Sequence, residues 1–264
     1  MSFYGIQEIY PWLYSIYDPL NVYCYVIVGD ERALLYDTGY GIGDLPGAVK
    51  SVTDKPFDVV LGHGHHDHAN GAFLFGEVWL GEGDFELCRA NAAPRVRRIA
   101  LKRMAEWEVA PPEGFDPEGY AGLPAGNVKP LLPGHIFELG GLTAEAVAME
   151  GHTAGSMGLL IREPGVLLCG DAANQGVWMF LPESLSVGAY IAMLERTAKL
   201  PFDTFFAGHQ NDGKPKSDMQ KYRNAARNAA VENSKPLEPL PGMKAYWYEE
   251  DGAGIHFSER TLGQ

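Results

Sequence analysis

Four histidines and one aspartate lie within six residues of the segment Gly62-His63-Gly64-His65-His66-Asp67-His68. Imidazole is the commonest protein ligand for zinc and similar cations, and carboxylate oxygens complete such sites. The segment follows the apolar run Val59-Val60-Leu61, so a buried strand is expected to deliver it to a sheet edge. The H-x-H-x-D-H spacing gathers His63, His65, Asp67 and His68 around one point, and the chemistry this suggests is metal binding. Asp67 has a second reading, as the N-cap of a helix starting at Ala69. His66 is expected to point away from the metals.

A short segment seldom supplies a whole site, and three further polar residues follow apolar runs. His152 stands in Gly151-His152-Thr153, Asp171 follows Leu167-Leu168-Cys169-Gly170, and His209 follows Phe205-Phe206-Ala207-Gly208. Each is preceded by a glycine, which lets chain segments approach closely in a crowded site. The remaining histidines, His135 in a Pro-Gly turn and His256 in a terminal hairpin, are read as structural.

The elements that must position these residues can be read from periodicity. Strands are expected over 22–28, 33–36, 57–61, 142–149, 157–161, 166–169 and 204–207, with helices over 45–52, 186–200 (capped by Ser186) and 217–233. A last hairpin joins 245–248 to 254–257. Strand-then-helix units in both halves imply two β-layers covered by helices, an α/β class chain. Tyr10, Trp12, Tyr14 and Tyr17 place an aromatic face along a strand, as core or as rim. The span 84–132 differs in character, helical and basic first and then rich in Pro and Gly. It reads as a lid insertion or as a surface excursion. Its cations Arg89, Arg95, Arg97, Arg98, Lys102 and Arg103 form either a solvated helix face or an anion-binding patch.

Composition narrows the function. With 264 residues, 46% of them hydrophobic, the chain can build a sizeable core. A formal net charge of −13 argues against a nucleic-acid partner. No apolar run is long enough to span a bilayer, and the first residues lack a secretory pattern, so no membrane partner is expected. Cys24, Cys88 and Cys169 are odd in number and far apart, which fits a reducing, cytoplasmic setting. Oligomeric state has no signature in the sequence.

Taken in order, Asp37-Thr38-Gly39, the His63–His68 block, Gly151-His152-Thr153, Gly170-Asp171 and Gly208-His209 resemble the motifs of the metallo-β-lactamase superfamily. They span about two-thirds of the chain. The resemblance implies a single domain over 1–264 with a four-layer αβ/βα sandwich and a two-metal site at one edge. It implies His63, His65 and His152 on the first metal, and Asp67, His68 and His209 on the second. Asp171 would bridge both, and Asp37 would orient ligands without binding metal.

Two divalent ions, zinc first with iron or manganese as alternatives, would lower the pKa of bridging water from about 15.7 toward about 7. The resulting hydroxide, with Asp67 and Asp171 as the working carboxylates, would attack a small ester, thioester or lactone, and no nucleophilic side chain is required. Cys169 reads as a core thiol. The bridging aspartate resembles the glyoxalase-II and lactonase branches more than the β-lactamases. True glyoxalase II carries a C-terminal helical domain that the 55 or so residues after His209 do not supply. Small-molecule phosphodiester or sulfate-ester hydrolysis and a mononuclear iron enzyme resembling persulfide dioxygenases are the alternatives. Asn174, Trp178, Met179 and Phe180, just after Asp171, are candidates for the wall of the substrate pocket, with simple packing as the other reading.

Overall fold

The computed structural model describes residues 3–240 and 242–263. β-Branched and aromatic runs form the first sheet in the order β1 (Gly5–Tyr10), β2 (Leu13–Tyr17), β3 (Tyr23–Val28), β4 (Ala33–Tyr36), β5 (Phe57–Val60), β6 (Val78–Gly81) and β7 (Val128–Leu131). Its first four strands form an antiparallel meander, and β4 to β7 are parallel. The second sheet takes β8 (Ile136–Glu138), β9 (Thr143–Ala148), β10 (Met157–Ile161), β11 (Val166–Leu168), β13 (Thr204–Ala207) and β14 (Gln210–Pro215). A third holds β12 (Gly176–Met179), β15 (Lys235–Leu240), β16 (Met243–Glu250) and β17 (Ala253–Phe257).

The first two sheets pack face to face. Leu13, Ile27, Leu34 and Val60 from one meet Ala146, Leu159, Leu168 and Phe206 from the other. On the outer face of the first sheet, Leu35 and Val59 pack with Leu45 and Val49 of helix α1 (Leu45–Val52). On the outer face of the second, Leu160, Leu167 and Phe205 pack with α6 (Val187–Thr197) and α7 (Met219–Asn228). Helix, sheet, sheet, helix is the expected αβ/βα sandwich. Between α1 and α6 lie α2 (His66–Ala69), α3 (Phe85–Asn91), α4 (Pro94–Glu106) and α5 (Pro117–Ala121).

The expected elements form with small shifts at their ends. Ser186 does cap α6, its hydroxyl accepting from the Ala189 N–H, and α7 stops at Asn228. The aromatic residues near the start do not share one strand. Tyr10 ends β1, Trp12 sits in the turn, and Tyr14 and Tyr17 lie on β2. The terminal hairpin forms as β16 and β17, but as the middle of a four-stranded sheet. The extra edge strand, Lys235–Leu240, carries two prolines, which an edge accepts because proline lacks one ladder donor.

The 84–132 span ends inside the first sheet, as β7. Its basic residues do not form one face. Arg97 is fully buried, donating to the carbonyls of Asn70 (3.1 Å) and Pro124 (2.8 Å) between the rings of Phe73 and Tyr120. It is neither solvated nor free to bind an anion. Arg103 donates to the Tyr40 hydroxyl, while Arg89, Arg98 and Lys102 pair with Glu86, Glu118 and Glu106. Among the described residues, no helix is long and apolar enough to cross a membrane.

Candidate metal centre

β4, β5, β9, β11 and β13 all end at one edge of the sandwich, because β4 and β5 run parallel, β11 and β13 run parallel, and β9 is two antiparallel steps from β11. Asp37, His63, His152, Asp171 and His209 follow those ends within a few residues. The two sheets are joined here directly. The Met157 N–H donates to the Gly62 carbonyl (2.7 Å), and the Tyr36 hydroxyl donates to the Met157 carbonyl (2.7 Å).

All seven expected ligands converge. Nε2 of His63, Nδ1 of His65 and Nε2 of His152 form one cluster, with His65 lying 3.0 Å from His63 and 2.8 Å from His152. Asp67, His68 and His209 form a second, with His209 Nε2 3.6 Å from Asp67 Oδ2 and 3.4 Å from His68 Nε2. Asp171 lies between them. Its Oδ2 is 3.7 Å from His152 Nε2 and 3.4 Å from His209 Nε2, and its Oδ1 is 3.3 Å from His68 Nε2. A Cβ at Gly208 would come within 2.6 Å of both Asp171 Oδ1 and His68 Cε1, so only glycine lets β13 approach this closely.

The ring nitrogens facing away from the centre are held. His68 Nδ1 meets Asp37 Oδ2 at 2.8 Å, His152 Nδ1 meets the Trp178 carbonyl at 2.7 Å, and His209 Nδ1 meets the Asn21 carbonyl at 2.9 Å. His65 Nε2 meets Glu183 at 2.7 Å. Partners of this kind set which nitrogen is free to bind a metal. Asp37 does more than hold His68, since its Oδ1 also accepts from the Gly62 N–H at 2.6 Å. It takes a left-handed φ of 67°, an unusual backbone state for a residue with a side chain.

Electrostatics divides the clusters. Burial pushes His63 well below the ordinary imidazole value, with His68 and His65 adding to the effect, and pushes His152 down to about 4. On the other side, burial is outweighed by carboxylates. Asp171, Asp37 and Asp67 hold His68 well above its usual value, and Asp171 lifts His209 to about 9. Burial likewise opposes ionisation of Asp171, but His209 and His68 hold it well below the carboxylate range. The donor set fits divalent cations: His63 and His152, neutral and facing His65, ionised carboxylates beside His68 and His209, and a buried Asp171 Oδ1 without a hydrogen bond.

Asp67 is a cluster member and not a helix cap, and the remaining histidines lie outside both clusters. Asp67 lies inside α2, whose N-cap position is His65. His66 packs on Tyr40, His135 on Trp79 and Phe137, and His256 on Trp247. Asn174 Oδ1 accepts from the His209 N–H (3.4 Å), and the Trp178 side chain is exposed. Met179 and Phe180 are both buried, which favours the packing reading for them over the pocket-wall one. β12 alternates, turning Val177 and Met179 into the core and Trp178 outward, so Met179 cannot line an open pocket. Four supporting residues escaped sequence reasoning: Asn21, Asp84, Glu183 and Ser184, whose hydroxyl donates to the His152 carbonyl (2.9 Å). Asp84 carried a signal, as a carboxylate just after the apolar strand β6, like the other site residues.

The chain belongs to the metallo-β-lactamase superfamily, whose family model matches residues 17–80 and 84–209. It is 27% identical over 211 residues to the acyl-coenzyme A thioesterase MBLAC2 of Gallus gallus, covering 74% of this chain and 73% of that protein. Among solved structures it resembles the archaeal metallo-β-lactamase superfamily protein ST1585 from Sulfolobus tokodaii, with a TM-score of 0.57, 18% identity, and 87% and 91% of the two chains covered. It also resembles the sec-alkylsulfatase Pisa1 from Pseudomonas sp., with a TM-score of 0.63, 16% identity, and 85% of this chain and 42% of that chain covered. The family match, together with the converging donors, makes the cluster a candidate for divalent metal.

Proposed function

We propose that this protein is a dinuclear zinc hydrolase of small acyl thioesters, with esters and lactones as related substrates. The observation that carries the reading is Asp171, whose carboxylate reaches toward both clusters. Two divalent ions bound there supply activated water and a positive charge that stabilises the developing oxyanion.

The chain's own residues do the rest. His63, His65 and His152 hold one ion, Asp67, His68 and His209 the other, and Asp171 spans the pair. Asp37 and the Trp178 and Asn21 carbonyls fix the rings through their outer nitrogens. Glu183 Oε1 does the same for His65. The thioester preference is supported by the likeness to an acyl-coenzyme A thioesterase. The helices α4 and α5, between β6 and β7, form a lid fastened to the end of the ligand helix α2 through Arg97 and the Asn70 carbonyl. Three free, buried cysteines support a cytoplasmic setting.

The test is metal analysis followed by a hydrolysis screen over acyl thioesters, esters, lactones and phosphodiesters. Two zinc ions per chain and a thioester preference are expected. A single iron with oxygen uptake, or turnover of phosphodiesters alone, would overturn the reading.

A further inference from the structure

Asp84 lies in the turn after β6 and is 1% exposed. Its carboxylate accepts three hydrogen bonds from two separate loops. Oδ2 takes the Gly64 N–H (2.8 Å) and the Thr153 hydroxyl (2.6 Å), and Oδ1 takes the Gly155 N–H (2.7 Å). Gly64 sits between His63 and His65, and Thr153 directly follows His152. One buried side chain therefore ties together the loops that carry all three imidazoles of the first cluster.

We infer that Asp84 is a positioning residue that sets the separation of the His63–His65 loop from the His152 loop. This rests on the reading that these three imidazoles hold a metal. Both loops close around Asp84 without slack. A Cβ at Gly64 would lie 2.9 Å from the Asp84 carbonyl oxygen, and one at Gly155 would lie 2.5 Å from its nitrogen. Those three donors are all neutral, and burial pushes the carboxyl up despite them. A buried carboxylate without a cationic partner is costly, and the geometry it secures is the 2.8 Å approach of His65 to His152 across the two loops.

The test uses Asp84→Asn, which keeps the shape but turns part of the acceptor into a donor, and Thr153→Val, which removes one of the three hydrogen bonds to Asp84 together with the Thr153–Ser156 hydroxyl contact. Zinc affinity is measured by competition with a chromophoric chelator, and the visible spectrum is recorded after loading with cobalt(II). In Asp84→Asn, one of the two metal equivalents should bind about 10- to 100-fold more weakly while the other stays within about twofold. The cobalt spectrum of the weakened equivalent should change. Thr153→Val should move the same equivalent in the same direction by less. If both variants fold and bind both equivalents as the parent does, with only the melting temperature lowered, Asp84 is a structural brace and the inference falls. Should Asp84→Asn fail to fold, unchanged affinity in Thr153→Val overturns it equally. If the parent protein takes up no metal, the metal reading falls and takes this inference with it, whereas two metals bound normally in the variants sink the inference alone.

Discussion

On one side of Asp171 stand three imidazoles, and on the other a carboxylate and two imidazoles. In the second group, His68 and His209 are raised by the carboxylates around them while Asp67 and Asp171 are held low. That half carries its own counter-charges. The first group cannot balance itself. His63 and His152 are held neutral by burial, and ring nitrogens face one another at 2.8 to 3.0 Å. Lone pairs at that distance repel unless a cation or a shared proton lies between them. This half is therefore the one braced most heavily from outside, by Asp84, Glu183, Ser184 and the Trp178 carbonyl.

The contrast can be broken most severely at Asp171, which serves both halves. Asp171→Ala should lower metal occupancy on both sides and reduce hydrolysis by at least about 10³-fold, as expected when a site loses charge stabilisation. Far-ultraviolet circular dichroism should stay close to the parent's. Full activity with two bound metals would remove Asp171 from its bridging role.

A smaller effect is expected at Asp18, another buried carboxylate, close enough to feel Asp67 and His209. Burial raises it to about 6, although the Val22 and Leu20 N–H groups oppose the rise. The folded state thus binds this proton more tightly than the unfolded chain, whose carboxyl titrates near 3.8. The penalty is absent below about pH 4, grows through pH 6 and is complete above it. In metal-free protein, Asp18→Asn should be more stable than the parent at pH 7 by up to about 3 kcal/mol, with the gap closing toward pH 4. Urea unfolding at a series of pH values measures this, and a gap that does not vary with pH contradicts it.

The smallest change is expected at Glu183, which touches only the outer nitrogen of His65. Glu183→Gln keeps a hydrogen-bond partner but removes the charge. It should weaken one metal equivalent by about 10-fold or less and leave the other alone. Equal weakening of both equivalents, read by chelator competition, would show that the halves are not independently supported.

The strands that deliver ligands were legible because each is an apolar run that stops at a glycine followed by histidine or aspartate. That pattern follows from the physics of a sheet edge, where the core ends and polar chemistry can begin. The failures have equally local causes. Arg97 lies in a stretch of cations, and nothing in that stretch separates a buried guanidinium capping backbone carbonyls from its solvated neighbours. For Met179 the sequence left wall and core open because the strand β12 was not expected, and only strand alternation shows that it turns inward. Prolines hid β15 for the same reason that they are tolerated on it.

By itself the sequence determined the superfamily, the sandwich layers and the seven side chains able to meet a metal, since ligand chemistry and apolar periodicity are both written in residue type and spacing. Only the tertiary structure decided how those seven divide into an all-imidazole group and a charge-balanced one, and which residues hold them in place. Asp84, Glu183 and Asn21 act through backbone groups or ring nitrogens distant in the chain. Contacts of that kind have no fixed spacing, and they exist only once the two sheets have brought the loops together.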